Sequence, residues 1–109
     1  FCYIDNTVQI NLLAATTDNK DAIDQIYNVA FGDSTSLKKL HQIIDNGLKL
    51  RLSNLESKSP IYQDFRIGDV RHSLADISKA KLLLNYDPRY NIQDGLNETL
   101  NWYIKSLSN

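Results

Sequence analysis

Methionine is absent from the chain and cysteine occurs once, at Cys2. A lone cysteine excludes an internal disulfide framework and a cysteine-only zinc site, and it fits a reducing compartment. The lack of methionine argues against position 1 as a translation start, and the chain opens inside what reads as a strand. A piece of a longer protein is therefore expected. Glycine is scarce, at positions 32, 47, 68 and 95, too scattered for a Gly-rich phosphate loop of the dinucleotide or P-loop type. Histidine occurs only as His41 and His72, neither with a second His or Cys at ligand spacing, so no metal site is expected. Neither charge sign dominates: 12 Lys and Arg stand against 13 Asp and Glu, a net charge of -1. That balance excludes a broadly basic nucleic-acid binder. Apolar runs are short and the N-terminus lacks the layout of a signal peptide, so neither a membrane span nor a membrane partner is expected and a cytoplasmic setting is.

What is present reads as one globular unit at most, long enough at 109 residues to bury a core of its own. Phe1 to Ile4 is a short aromatic and β-branched run, followed by Asp5 or Asn6 as an N-cap. The helix after it, to about Thr16, carries Val8, Leu12 and Ala15 on one stripe and Ile10, Leu13 and Ala14 beside it, which predicts burial on more than one side. Ile26 to Ala30 has the length and residue types of a buried strand. After the turn at Gly32 to Ser36, Leu37, Leu40, Ile44 and Leu48 recur at helical spacing, with Gly47 expected to weaken or end the helix. Residues 49–60 read as a fraying helix end and a surface loop closed by Pro60. Asp76 precedes a short helix stopped at Asn85 and Pro88, and the last helix runs from about Ile92 to Leu107, with Asn91 and Asp94 as its capping signal. About four helices and two or three short strands predict an α/β or α+β lobe.

Polar chemistry concentrates between Tyr62 and Asp76. If residues 69–74 are extended, Asp69, Arg71 and Ser73 share one face and Val70, His72 and Leu74 share one that can pack. Gly68 then marks a turn or bulge that brings Arg66 to the polar face. Plainer readings stand beside this one. Arg66 can be a surface arginine paired with Asp64, Asp69 a turn acid beside Gly68, Ser73 a solvent-facing residue and Asp76 an N-cap. His72 and Ser73 are adjacent and fall on opposite faces of a strand, so no Ser-His-Asp triad is drawn from them. Phe1, Tyr3, Tyr62 and Phe65 read as core.

The run Asp-Phe-Arg-Ile-Gly-Asp-Val-Arg-His-Ser-Leu-Ala-Asp-Ile-Ser-Lys-Ala, residues 64–80, resembles the C-terminal signature of extended short-chain dehydrogenase/reductases that act on nucleotide sugars. The opening Phe-Cys-Tyr-Ile-Asp-Asn-Thr-Val-Gln and the later Tyr-Asn-Val-Ala-x-Gly-Asp with Thr-Ser-Leu fit the same family. In order along the chain they resemble the bacterial UDP-N-acetylglucosamine 4-epimerase type. The resemblance implies an α/β fold, the C-terminal part of an NAD-dependent epimerase/dehydratase. It places Arg66 on the arginine that pairs with the substrate diphosphate, where a forked guanidinium meets phosphate oxygens in pairs. It places Asp69 on the acid that accepts the uridine ribose hydroxyls and Ser73 on the position beside the hexose, where a small residue leaves space for an acetamido group. Arg71 is expected on the same face as a fourth substrate-binding residue, in a position that varies within the family.

The same resemblance implies what lies elsewhere. The Gly-rich turn that binds NAD and the catalytic Tyr-x-x-x-Lys pair precede this region in the family, and no tyrosine here has a lysine four residues on. No catalytic or cofactor-binding residue is therefore expected in this chain: it would hold a UDP-sugar but be inactive alone, in a parent that dimerises through helices absent here. Alternatives are a dehydratase, decarboxylase or other epimerase of the same family, or an interaction module whose Arg66 and Arg71 engage an acidic partner.

Overall fold

Among residues 1–107, which the computed structural model describes, four α-helices carry the architecture: α1 (Ile4–Thr16), α2 (Leu37–Lys49), α3 (Ser78–Leu84) and α4 (Ile92–Leu107). A 3-10 turn at Lys20–Ala22 follows α1. The first helix and the 3-10 turn pack on α3, and α2 packs along α4.

The expected α/β fold with two or three short strands is overturned, because no strand forms among the described residues. A strand exists only with a partner, and the backbone N–H to C=O bonds outside the helices are all local, the one from Tyr86 to Ala80 reaching furthest. Ile26 to Ala30 keeps the alternation of a strand without a ladder. Tyr27 and Val29 pack on the core, while Asn28 is exposed and Ile26 is 89% exposed. Side chains hold this run in place of strand pairing: the Tyr27 hydroxyl donates to the Ala22 carbonyl at 2.8 Å, Asn28 Nδ2 to that of Asp76 at 3.2 Å, and the Tyr86 hydroxyl to that of Ala30 at 3.0 Å. Residues 69–74 are likewise unpaired, and Val70 and Leu74 face solvent instead of packing.

Local chemistry accounts for most helix ends. Ser36 Oγ accepts the Lys39 N–H at 3.2 Å and starts α2, and Asn91 Oδ1 accepts the Asp94 N–H at 2.9 Å and starts α4. Asn85, left-handed at φ 53°, ends α3, with the Tyr86 N–H returning to the Ala80 carbonyl at 3.2 Å. Two expectations fail. Gly47 does not end α2, because its bare Cα is a contact surface: a Cβ there would fall 2.5 Å from Leu100 Cδ1 of α4. Arg51 then ties the same crossing, donating to the Gly47 carbonyl at 2.9 Å and to Asn101 Oδ1 at 2.8 Å. Asp5 and Asn6 do not cap α1 but lie inside it, and its N-cap is Tyr3, with no side-chain bond.

Asn6 has another duty. It is 1% exposed, its Oδ1 accepts the N–H groups of Arg89 and Tyr90 at 2.9 and 3.1 Å, and its Nδ2 donates to the Tyr90 carbonyl at 2.8 Å. The segment between α3 and α4 is thereby clamped to α1. Around it the core gathers Ile10, Ala22, Ile77, Ala80, Leu84 and Tyr86. Tyr3 crosses the start of α4 over Gly95, where a Cβ would meet its ring atoms at 2.9 and 3.0 Å, and its ring lies tilted at 48° against that of Tyr90, centres 4.8 Å apart.

This core is small for the chain. The accessible surface is 8965 Å², against about 6,100 Å² for a folded monomer of this mass. The radius of gyration is 17.5 Å, against about 13 Å for a compact domain of this length. On α1 the predicted double burial is half met: Ile10 is buried, while Ile4, Val8, Leu12 and Ala15 form an uncovered apolar stripe.

Two outcomes follow for stability. Asn6→Ala removes the three hydrogen bonds of a buried amide and is expected to lower the unfolding free energy by about 2–4 kcal/mol in urea titrations followed by circular dichroism. Unchanged stability would remove the clamp from this account. Burial pushes the Tyr86 hydroxyl up to about 12 from the ordinary 10.0. Its neutral form belongs to the folded state, so its contribution is complete below pH 10 and is lost as pH rises through about 12. An alkaline stability titration is expected to fall in that window, with the fall reduced in Tyr86→Phe.

Candidate functional site

Between α2 and α3 the chain makes a long excursion without helix or strand, and every residue from 52 to 74 is exposed. Long segments of this kind in small proteins are commonly functional arms. Its organised part is a tight turn. The Asp69 N–H donates to the Arg66 carbonyl at 3.2 Å, with Gly68 at φ 89° in the position where a type II turn requires a positive φ. Across the turn, Arg66 Nε lies 3.2 Å from Asp69 Oδ2, with side chains 86% and 41% exposed. The partner of Arg66 is thus Asp69, and the pairing with Asp64 weighed from the sequence is not formed. Just outside the turn, the Arg71 guanidinium carbon lies 4.0 Å from the centre of the Phe65 ring.

The structure therefore brings Arg66 and Asp69 together and sets Arg71 beside them on an aromatic ring. Ser73 is exposed and, among the described residues, makes no hydrogen bond to this cluster. Phe65, read from the sequence as core, is exposed, as are Phe1 and Tyr62, while Tyr3 is half-buried. A contact between residues 65 and 71 depends on the turn between them, and no helical or strand spacing signals it.

A groove of about 590 Å³ begins where the arm rejoins the core, lined by Leu74 to Ser78, by Phe31 to Asp33 and by Lys81, Asp87 and Pro88. Asp76 sits in its wall. The Ser78 hydroxyl and N–H, the latter at 2.9 Å, hold its carboxyl below the usual carboxylate range and fix it at the start of α3. The N-cap of α3 is Ile77, so Asp76, read as the cap, stands one position before it, its carboxylate accepting the Ser78 N–H. Arg66, Asp69, Arg71 and Ser73 lie outside this groove and outside a second of about 430 Å³ between the N-terminal residues, α2 and α4.

A nicotinamide dinucleotide does not fit the residues present. Phosphate cradles use clustered glycines before a helix, and here each glycine is isolated, Gly47 and Gly95 serving helix contacts and Gly68 the turn. Among the described residues no helix is long and apolar enough to cross a membrane.

No family model matches the chain. It is similar to curated UDP-sugar epimerases over most of its own length. A UDP-glucuronate 4-epimerase of Thermodesulfobacterium geofontis is 35% identical over 106 residues, covering 83% of this chain and 32% of that protein. UDP-glucuronate 4-epimerase 5 of Arabidopsis thaliana is 30% identical over 114 residues, covering 95% of this chain and 25% of that protein. An uncharacterized UDP-glucose epimerase of Bacillus subtilis is 30% identical over 107 residues, covering 98% and 31%. The chain thus spans a third or less of the length of these relatives, and it is similar to a segment of each of these UDP-sugar epimerases. None of these three names carries the N-acetylglucosamine substrate expected from the sequence.

Arg66 makes no structural contact beyond its own turn. Because exposed ion pairs contribute about 0–1 kcal/mol, Arg66→Ala is expected to leave the urea midpoint within that margin. A larger loss would assign Arg66 a role in the fold.

Proposed function

We propose that this chain is the C-terminal, substrate-holding portion of an NAD-dependent nucleotide-sugar 4-epimerase. The observation that carries the proposal is the Arg66–Asp69 turn, which presents a guanidinium and a carboxylate side by side on an exposed arm, within a chain similar along most of its length to UDP-sugar epimerases. In this reading Arg66 grips the diphosphate through paired N–H donors and Asp69 accepts ribose hydroxyls. Both groups exchange their mutual contact for the ligand. The NAD site, the catalytic pair and the dimer helices belong to a part of the enzyme outside these residues. The uncovered stripe of Ile4, Val8, Leu12 and Ala15 and the large accessible surface support such a part, since burial against it would complete the core.

For the sugar, UDP-N-acetylglucosamine and its C4 epimer are the proposed pair, because Ser73 is small and unencumbered and leaves space for an acetamido group. A second reading, UDP-glucuronate, is supported by the names of two of the relatives.

The test uses the intact enzyme that carries this sequence. Incubated with UDP-N-acetylglucosamine, it is expected to form UDP-N-acetylgalactosamine, followed by NMR. Arg66→Ala is expected to raise KM about 10- to 100-fold, the range for losing charge-assisted hydrogen bonds, and Ser73→Tyr to abolish turnover of the acetamido sugar selectively. Turnover of UDP-glucuronate alone would shift the assignment to the second reading. No turnover of any nucleotide sugar would return the chain to the class of interaction modules.

A further inference from the structure

The turn at Arg66 to Asp69 stands without support from the rest of the fold. Every residue around it is exposed, and a Cβ built on Gly68 meets nothing within 4 Å. Its population therefore rests on contacts within the arm, and three are present in sequence order from inside out. The innermost is the Asp69 N–H to Arg66 carbonyl bond, then the ion pair across it, then the Arg71 guanidinium on the Phe65 ring. The first two involve the groups proposed to meet the ligand, and the ion pair is given up on binding. The outer contact involves neither. Among the described residues Arg71 has no carboxylate or carbonyl partner, so the ring of Phe65 is its only specific contact.

From this geometry we infer that Arg71 is a positioning residue: by stacking on Phe65 it closes the arm across the turn and preforms the pair Arg66 and Asp69, and it does not itself grip the nucleotide sugar. The inference rests on the proposed binding of a UDP-sugar by the turn. Its physical basis is preorganisation. A ligand that meets an already closed turn has less chain to order, and the apparent affinity scales with the fraction of molecules in the competent shape. An exposed cation-aromatic contact is worth about two- to fivefold in such an equilibrium.

Arg71→Gln and Phe65→Leu are each expected to raise KM of the intact epimerase about two- to fivefold with kcat unchanged. The double variant is expected to match either single one, because one contact is lost in all three. Arg71→Lys, which retains a cation for the ring, is expected to recover most of the affinity. In the chain itself, the Arg71 Nε–H resonance is expected to shift upfield under the ring current of Phe65 and to lose that shift in Phe65→Leu. A silent Phe65→Leu beside a costly Arg71→Gln, or a double variant that sums the two, would make Arg71 a direct ligand contact and overturn the inference while Arg66→Ala still upholds the binding site. Absence of the ring-current shift overturns it as well. A silent Arg66→Ala takes down the site and the inference together.

Discussion

The buried amide of Asn6 is the constraint on which the fold depends. Helices α1 and α3 form one packed unit, α2 and α4 another, and the segment joining α3 to α4 passes between them. Its backbone N–H groups at Arg89 and Tyr90 and the Tyr90 carbonyl find their partners in this one buried side chain. Asparagine suits the place because it both accepts and donates without charge. Tyr3 over Gly95 and Tyr86 under Ala30 repeat the pattern, each anchoring an irregular segment through one well-placed group.

That economy leaves the fold open. A modest core holds four helices, while one face of α1 and the whole arm from 52 to 74 stay in water. For a chain similar to a third or less of several UDP-sugar epimerases, an open surface has a physical meaning. The missing burial and the missing chemistry are proposed to come from the same place. The arm is the complementary case: Ser57 ties its first part to Asp45 of α2, while the turn of Arg66 and Asp69 is organised by local contacts, which keeps these two groups accessible and inexpensive to rearrange.

Much of this was legible in the residues, for reasons of range. The helix of Leu37 and Leu40, the αL stop at Asn85, the cap of Asn91 and the turn at Gly68 are settled by neighbours within a few residues, and the reading of them stands. Phe65 was misread because an aromatic side chain is taken as core by default, and its contact with Arg71 exists only once the turn between them is closed. Gly47 was read as weakening or ending its helix because a glycine's intrinsic cost is visible in the sequence; the helix runs on to Lys49, and Leu100 lying against Gly47 is not visible there.

By itself the sequence determined the four helices, the caps of α2 and α4 and the polar turn, since each is decided by local periodicity or backbone stereochemistry. Tertiary structure alone decided that Ile26 to Ala30 and residues 69–74 form no sheet, that Asn6 is a clamp, and that one stripe of α1 is covered and the other bare. Strand pairing and burial are relations between distant segments, and they depend on which partners the chain itself supplies.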